Sequence, residues 1–146
     1  MSISYSICSA AHLETSAVVA SFARLPGFQR TGEGVSAPDL QISIREPSDL
    51  NASIIEEAFA FRPRLFVGFR PDKFCDGQLV MDRVLMATAA LMRETVEDLS
   101  LLLNGEDVIL TRLQGKLVLY ARPEFWTEAR AKLFPEPHSF AEPLLL

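Results

Sequence analysis

The amino-acid sequence predicts a single-domain α+β protein with a mainly antiparallel sheet, and two neighbouring segments carry this prediction. Residues 99–120 hold three short apolar runs separated by Asn104-Gly105 and Gln114-Gly115, pairs that suit two-residue hairpin turns with positive φ. Residues 79–96 carry apolar side chains at helical spacing over a face too broad for a surface helix. We therefore predict a three-stranded meander over 99–120, packed on a long central helix over 79–96.

The N-terminal third predicts a strand, a helix and a second strand. Polar and apolar residues alternate over 2–8, as in a strand with one buried face. Near-helical spacing indicates a first helix over 11–25, ended by Pro26-Gly27. Its inward residues would be Leu13, Ala17, Ala20 and Phe22. The polar stretch 28–36 is interpreted as a frayed strand or a loop, and a definite strand follows with alternating Leu40, Ile42 and Ile44.

The middle of the chain predicts a short helix, a strand and a loop. Ser48 and Asp49 offer an N-cap for a helix that contains Ile54, Ile55, Ala58 and Phe59 and exposes Glu56 and Glu57. In the next strand one face carries Leu65, Val67 and Phe69, and the other carries Arg64, Phe66, Gly68 and Arg70. Residues 71–77 then form a loop before the central helix.

The C-terminal end predicts a last helix and an irregular tail. Pro123 suits the first turn of a helix that runs to about residue 134. Its inward residues would be Phe125, Trp126, Ala129 and Leu133. The tail that follows contains Pro135, Pro137 and Pro143, which predict an absence of regular structure. It is either an extended strap or mobile. We thus expect one domain over 1–134 and a proline-rich tail over 135–146.

Composition limits the classes of partner. A chain of 146 residues with a formal net charge of −5 repels phosphate backbones and anionic headgroups, so we expect no nucleic-acid partner. The same charge favours encounter with a basic protein. No apolar run reaches the length of a membrane span, and no Lys or Arg precedes Arg24 as a secretory leader would require. We therefore expect a cytoplasmic protein, with Cys8 and Cys75 reduced.

No motif predicts catalysis, a cofactor or a metal site. His12 and His138 lie near opposite ends of the chain, and neither has a second ligand at metal-binding spacing. A hard cation is one interpretation of Asp72, Asp76 and Asp82, but loop solvation and helix capping explain these carboxylates better. We predict a protein that is not an enzyme. An enzymatic alternative would require a pocket that joins Asp72 and Asp76 to a histidine.

Two kinds of charged patch remain open to interpretation. One hypothesis for Arg62, Arg64, Arg70 and Lys73 is a phosphate-binding patch. The favoured hypothesis is that these residues occupy alternate strand positions that face solvent. The acidic pairs Glu56-Glu57 and Glu106-Asp107 suggest docking of a basic partner, although solvated turns and helices are often acidic for solubility alone.

Three longer stretches resemble a known family. They are IIEEAFAFRPRLFVGFRPDKF over 54–74, LLLNGEDVILTRLQGKLVL over 101–119 and FWTEARAKL over 125–133. In their order and texture they resemble the Sit-type immunity proteins of myxobacteria, small cytoplasmic partners that neutralise a cognate polymorphic toxin. The likeness covers about the last ninety residues well and extends loosely to the first strand and helix.

The resemblance implies a non-catalytic protein that binds one toxin and blocks it. No toxin-contacting residues are carried over from the family, so the expected contacts to a basic toxin rest on exposed acidic groups alone. These are Glu56, Glu57, Glu106, Asp107, Asp72 and Asp76. The alternative function is an acidic, secretion-chaperone-like module that holds an effector partly unfolded.

Overall fold

A computed structural model describes residues 3–122 and 124–146. The predicted strand start at Ser2 and the predicted helix start at Pro123 lie outside these residues. The elements in chain order are β1 (Tyr5–Ser9), α1 (Thr15–Ala23), β2 (Gln29–Thr31), β3 (Gly34–Ala37), β4 (Leu40–Arg45), α2 (Asp49–Phe59), β5 (Leu65–Pro71), α3 (Gly77–Glu94), β6 (Leu99–Leu103), β7 (Asp107–Leu113), β8 (Lys116–Tyr120), α4 (Glu128–Ala131) and β9 (His138–Ala141).

These strands form one sheet in the order β2-β3-β4-β5-β1-β6-β7-β8-β9. Every neighbouring pair is antiparallel except β8 and β9, which run parallel. The predicted meander is confirmed as β6, β7 and β8, and its first turn has φ of 53° at Asn104 and 74° at Gly105. The α+β class and the mainly antiparallel single domain are confirmed as well.

The helices divide the sheet into two unequal faces. On the helix-covered face, inward residues of the strands share one core with α1 and α3, including Ile7, Phe69 and Leu101. Because side chains alternate along a strand, Cys8 and Leu102 point to the opposite face, where Ile55 of α2 packs on them. We call this the open face, since α2 covers only part of it.

Side-chain caps set where the two longer helices begin. The hydroxyl of Ser48 accepts the Asn51 N–H at 3.2 Å, which confirms the predicted start of α2. The Asp76 carboxylate accepts the Gln78 and Leu79 N–H groups, so α3 begins at Gly77 rather than at residue 79. The helix also ends earlier than predicted, at Glu94, and Val96 beyond it is 87% exposed.

The N-terminal part needs two corrections. Helix α1 is shorter than 11–25, and its buried positions are Val18, Val19, Ser21 and Phe22. The predicted inward residue Phe22 is thus buried, whereas Ala17 is exposed. The polar stretch 28–36, expected to be a frayed strand or a loop, forms most of a hairpin of β2 and β3. Its turn includes Gly32 at φ 62°, which favours the reversal.

The C-terminal end differs most from the prediction. The last helix is only Glu128–Ala131, and the predicted inward residue Ala129 is exposed whereas Arg130 is buried. The other predicted inward residues do contact the core, since Phe125 is buried and Trp126 and Leu133 pack against it. The tail is a strap that contains the regular strand β9, because the prolines flank that strand instead of lying in it. The end of the strap docks on β7, where the Val108 N–H donates to the Leu144 carbonyl at 3.0 Å.

Candidate partner-binding surface

The open face holds a groove of about 580 Å³ between α2 and the strands β4, β5, β1 and β6. Ser43, Gly68 and Ser6 lie side by side on three strands and line its floor. A Cβ atom at Gly68 would lie 2.8 Å from the Ser43 Oγ and 3.0 Å from the Phe66 Cε1, so a larger residue here would force these side chains to move. The small residues keep the floor low, and a partner backbone could approach the sheet here.

One wall of this groove is helical and one end is a pinned turn. Helix α2 contributes Asn51 and Ile54, and the Ile54 side chain is 43% exposed. At the end of the groove, the Ser4 N–H donates to the Asn104 Oδ1 at 2.9 Å, and the Asn104 N–H donates to the Ser4 carbonyl at 2.7 Å. These reciprocal hydrogen bonds fix the β6–β7 turn to β1, so the groove has a preformed shape.

The charged groups that line the groove are both arginines, with no Asp or Glu among its lining residues. The Arg45 guanidinium lies 4.2 Å from the centroid of the Phe66 ring, a cation–π arrangement that holds it over the open face. Arg70 is exposed and lies opposite Gln41 in the pairing of β4 with β5. The groove therefore has the opposite charge from the chain as a whole.

The predicted basic patch is divided by the structure. Arg62 pairs with Glu56 at 3.7 Å, and the Arg64 Nη1 lies 3.4 Å from the His12 Nδ1. Lys73 lies over the ring of its neighbour Phe74, at 5.5 Å from the centroid. Arg70 alone among the four lines the groove, so they do not form one phosphate site.

The six predicted acidic contacts lie on three elements: Glu56 and Glu57 on α2, Glu106 and Asp107 at the β6–β7 turn, and Asp72 and Asp76 between β5 and α3. Three of them already have roles inside the chain. Glu56 pairs with Arg62, Asp107 pairs with Arg122, and Asp76 caps α3. Within the described residues, the other three carboxylates have no ion-pair partner.

Those three, Glu57, Asp72 and Glu106, adjoin the groove in sequence. Glu57 follows Ile54 by three positions and so neighbours it on the surface of α2. Glu106 follows the lining residue Gly105, and Asp72 follows the lining residue Arg70 by two positions. Three exposed carboxylates that are far apart in sequence therefore each lie within three positions of a residue that lines the groove.

The cluster required by the enzymatic alternative is not formed. His12 contacts Arg64, just before β5, whereas Asp72 follows the other end of this strand, eight residues on and about 26 Å away at strand spacing. His138 lies on the edge strand β9. The Asp82 carboxylate accepts a hydrogen bond from the Arg130 Nε at 2.7 Å, so an arginine within the chain explains its position without a cation. Across 3–122 and 124–146, no group of three or more His, Cys, Asp or Glu could hold a metal.

The two cysteines do not pair with each other. Cys8 is buried and Cys75 is half-buried, and both are free thiols. Burial raises the pKa of the Cys8 thiol to about 12, against a weaker opposing effect of Arg45. At neutral pH Cys8 is therefore a protonated, poorly nucleophilic core residue.

Sequence reasoning did not identify the groove or Arg45. The strand pattern placed Phe66, Gly68 and Arg70 on one face, but it did not pair β5 with β4. That pairing sets Arg45 opposite Phe66 and Gln41 opposite Arg70. The alternation of β4, with polar Gln41, Ser43 and Arg45 on one side, was the available signal that this side stays uncovered.

Comparison with known proteins assigns the family. Neither a curated protein nor a solved structure matches the chain. Among the described helices, none has the length and apolar character to cross a membrane. The SitI3-like family model matches residues 3–130, which include every element from β1 to α3, the whole meander and most of α4. The chain therefore belongs to the SitI3-like family, a family of immunity-type proteins.

Proposed function

We propose that this protein is a cytoplasmic immunity protein that binds one cognate toxin and neutralises it by occlusion, without catalysis. The observation that carries the proposal is the family match over residues 3–130. Occlusion requires the immunity protein to cover the active site of the toxin, or a surface that the toxin needs, for as long as both are present. A tight complex and a slow dissociation rate are therefore expected.

The docking surface in this proposal is the groove together with its acidic surroundings. Glu57, Asp72 and Glu106 contact basic groups of the toxin, since these carboxylates are exposed and without ion-pair partners in the described chain. Glu56, Asp76 and Asp107 support the surface through their bonds within the chain. The formal charge of −5 steers a basic toxin towards the protein.

Interface size supports a docking surface larger than the groove. A stable complex buries about 800 Å² on each partner, which requires contacts on α2 and on the β6–β7 turn as well as on the groove floor. Exposed apolar groups on α2, Leu50 and Ile54, lie on this side and provide area for such contacts. Their exposed fractions are 70% and 43%.

Co-expression with the product of the adjacent open reading frame tests the function. We expect that product to arrest growth when expressed alone, and growth to recover when this protein is present. The purified pair should form a complex of defined stoichiometry on size-exclusion chromatography with light scattering. A neighbour that remains toxic beside this protein would contradict the proposal.

Inhibition of the folded toxin separates occlusion from the chaperone alternative. An immunity protein added to active, folded toxin abolishes its activity, whereas a secretion chaperone binds a partly unfolded effector and leaves the folded enzyme active. Limited proteolysis of the complex provides a second readout. A protected, compact toxin is expected for immunity, and a largely digestible toxin would favour the chaperone function.

Charge reversal tests the acidic contacts. We expect Glu57→Lys and Glu106→Lys to slow association with the toxin, because exposed interface charges act mainly on the association rate. Glu33→Lys is the matched control, since Glu33 is exposed in the β2–β3 turn. Equal association rates for all three variants would remove these carboxylates from the interface while leaving the neutralising function in place.

A further inference from the structure

Resting on the proposed function, we propose that the groove on the open face binds an extended acidic segment of the toxin, whose carboxylates pair with Arg45 and Arg70. This occupant differs in charge from the basic toxin surface expected at the acidic surroundings. The proposal gives the arginine-lined floor of the groove a specific role.

Charge complementarity supports a carboxylate-bearing occupant. The two charged side chains that line the groove are both arginines, and the other lining residues are apolar or neutral polar. A basic segment in this position would place like charges together without a carboxylate on the floor to offset them. Carboxylates accept two parallel hydrogen bonds from a guanidinium, the strongest pairing that an arginine makes.

Strand register gives the spacing of the two contacts. Arg70 lies opposite Gln41, and Gln41 precedes Arg45 by four positions on β4. Four residues of a strand span about 13 Å, so the two arginines are separated by this distance along the groove. An extended segment advances by the same amount, which places carboxylates at positions i and i+4 on the side that faces the floor.

The shape of the floor suits an extended backbone. Ser43 and Ser6 present short side chains on either side of Gly68, across three neighbouring strands. The hydroxyls of the two serines and the side-chain amides of Gln41 and Asn51 can donate to and accept from peptide groups. The two arginines are too far apart to hold a single small anion, so the groove favours a chain over a free phosphate ion.

A nucleic acid is the less suitable polyanion. Its many phosphates would meet the field of a chain with a formal charge of −5, and Glu57, Asp72 and Glu106 adjoin the groove. A short acidic segment with basic flanks satisfies both the arginine floor and the acidic surroundings. Charges beyond about 8 Å are largely screened at physiological salt, so the arginines dominate at the floor.

The test measures the dissociation constant of the complex with intact toxin for three single variants. We expect Arg45→Gln and Arg70→Gln each to weaken binding about tenfold, the effect of one lost charged hydrogen-bonding pair. Arg30→Gln is the matched control, because Arg30 is an exposed arginine on β2 outside the groove. Circular dichroism and thermal melting of each variant establish that the fold is retained.

A peptide experiment identifies the occupant. Overlapping peptides that cover the toxin are titrated against the wild-type protein by fluorescence polarisation. We expect binding by a peptide with carboxylates at i and i+4, lost when these become amides and weakened in Arg70→Gln. In a double-mutant cycle with intact toxin, amide substitution of only the carboxylate that pairs with Arg70 should have little further effect on Arg70→Gln.

The outcomes separate the two proposals. If wild-type protein neutralises the toxin but Arg45→Gln and Arg70→Gln bind it as tightly as wild type, the groove assignment is overturned and the immunity function stands. Preferential binding of basic peptides or of a single-stranded oligonucleotide in the groove also overturns it. If the wild-type protein does not neutralise the toxin, the proposed function is itself refuted.

Discussion

Substitution of Arg130 by alanine should remove the main polar link between the C-terminal region and α3. The side chain is only 7% exposed, and its guanidinium donates to four acceptors from two regions of the chain. The Nε donates to the Asp82 carboxylate at 2.7 Å and the Nη1 to the Phe125 carbonyl at 3.0 Å. The Nη2 donates to the Gln78 Oε1 at 2.8 Å and to the Gln78 carbonyl at 3.4 Å. Arg130→Ala breaks all four.

The expected loss in the free energy of unfolding is about 3 kcal/mol. Charged hydrogen bonds contribute about 1.5 to 3 kcal/mol each, but their effects are not additive within one network. The Asp82 side chain is 46% exposed and regains water when its partner is lost, which reduces its share. The Phe125 carbonyl is part of a buried contact and has no such compensation.

Urea denaturation measures this loss, with the emission of Trp126 and far-UV circular dichroism as two probes. The single tryptophan packs between Phe125 and Phe134, with ring centroids 4.9 and 5.9 Å away, so it reports on this region. Lys132→Ala is the control, since its pair with Glu128 is exposed at 74% and 84%. It should change stability by less than about 0.5 kcal/mol. A loss below about 1 kcal/mol for Arg130→Ala, or equal losses for both variants, would refute the reasoning.

Four further variants give distinct expectations by the same denaturation assay. Ser100→Ala removes a buried hydroxyl without a hydrogen-bond partner and should raise stability by about 1 kcal/mol, whereas Ser9→Ala loses a 2.8 Å bond to Asp98 and should lower it by a similar amount. An unfolded thiol ionises near pH 8.5, so the raised pKa of Cys8 makes stability fall as the pH rises above that value. Between pH 8 and 10 this effect lowers the free energy of unfolding by about 2 kcal/mol, and Cys8→Ala should abolish that decrease. Gly105→Ala should lower stability by about 1 kcal/mol through backbone strain alone, because φ is +74° and the added Cβ meets open space. Opposite signs for the serine or glycine variants, or an unchanged alkaline slope in Cys8→Ala, would contradict these expectations.

The elements that the sequence predicts well are those determined by neighbouring residues. Ser48 caps a helix whose first turn lies beside it in the chain, and Asn104-Gly105 adopts the positive φ that its hairpin requires. Asp76 was interpreted as a capping residue and does cap α3. The long apolar helix and the meander also follow from short-range periodicity, so the α+β class could be predicted.

Features that depend on distant contacts could not be predicted in the same way. Arg112 on β7 donates to the carbonyls of Met92 and Thr95 at the end of α3, and burial lowers its pKa. Arg130 is buried in a helix where the apolar pattern favoured Ala129 as the inward residue. Both positions depend on pairing between segments far apart in sequence, which local spacing does not specify.

The candidate site was predicted only in part, for the same reason. The acidic residues were selected by sequence clustering, which does not distinguish a carboxylate held within the chain from a free one. Asp107 pairs with Arg122, on the chain after β8, and Asp76 caps α3, whereas Glu57 is exposed beside the groove. We propose toxin contacts for the three carboxylates without an ion-pair partner in the described residues, and the six contacts expected from the sequence stay predictions.

The net charge of the chain and the charge of the groove have opposite signs, and they act on a partner at different distances. The formal charge of −5 acts during approach and favours a basic toxin, whereas Arg45 and Arg70 act in the groove, where more distant charges are screened. The net charge summed over the sequence cannot separate these two effects, because it is the pairing of β4 with β5 that brings the arginines to one face. A basic protein without an acidic segment would be attracted but would leave the floor unpaired. Under the two proposals, the acidic residues govern the rate of association, and the arginines govern which toxin is retained.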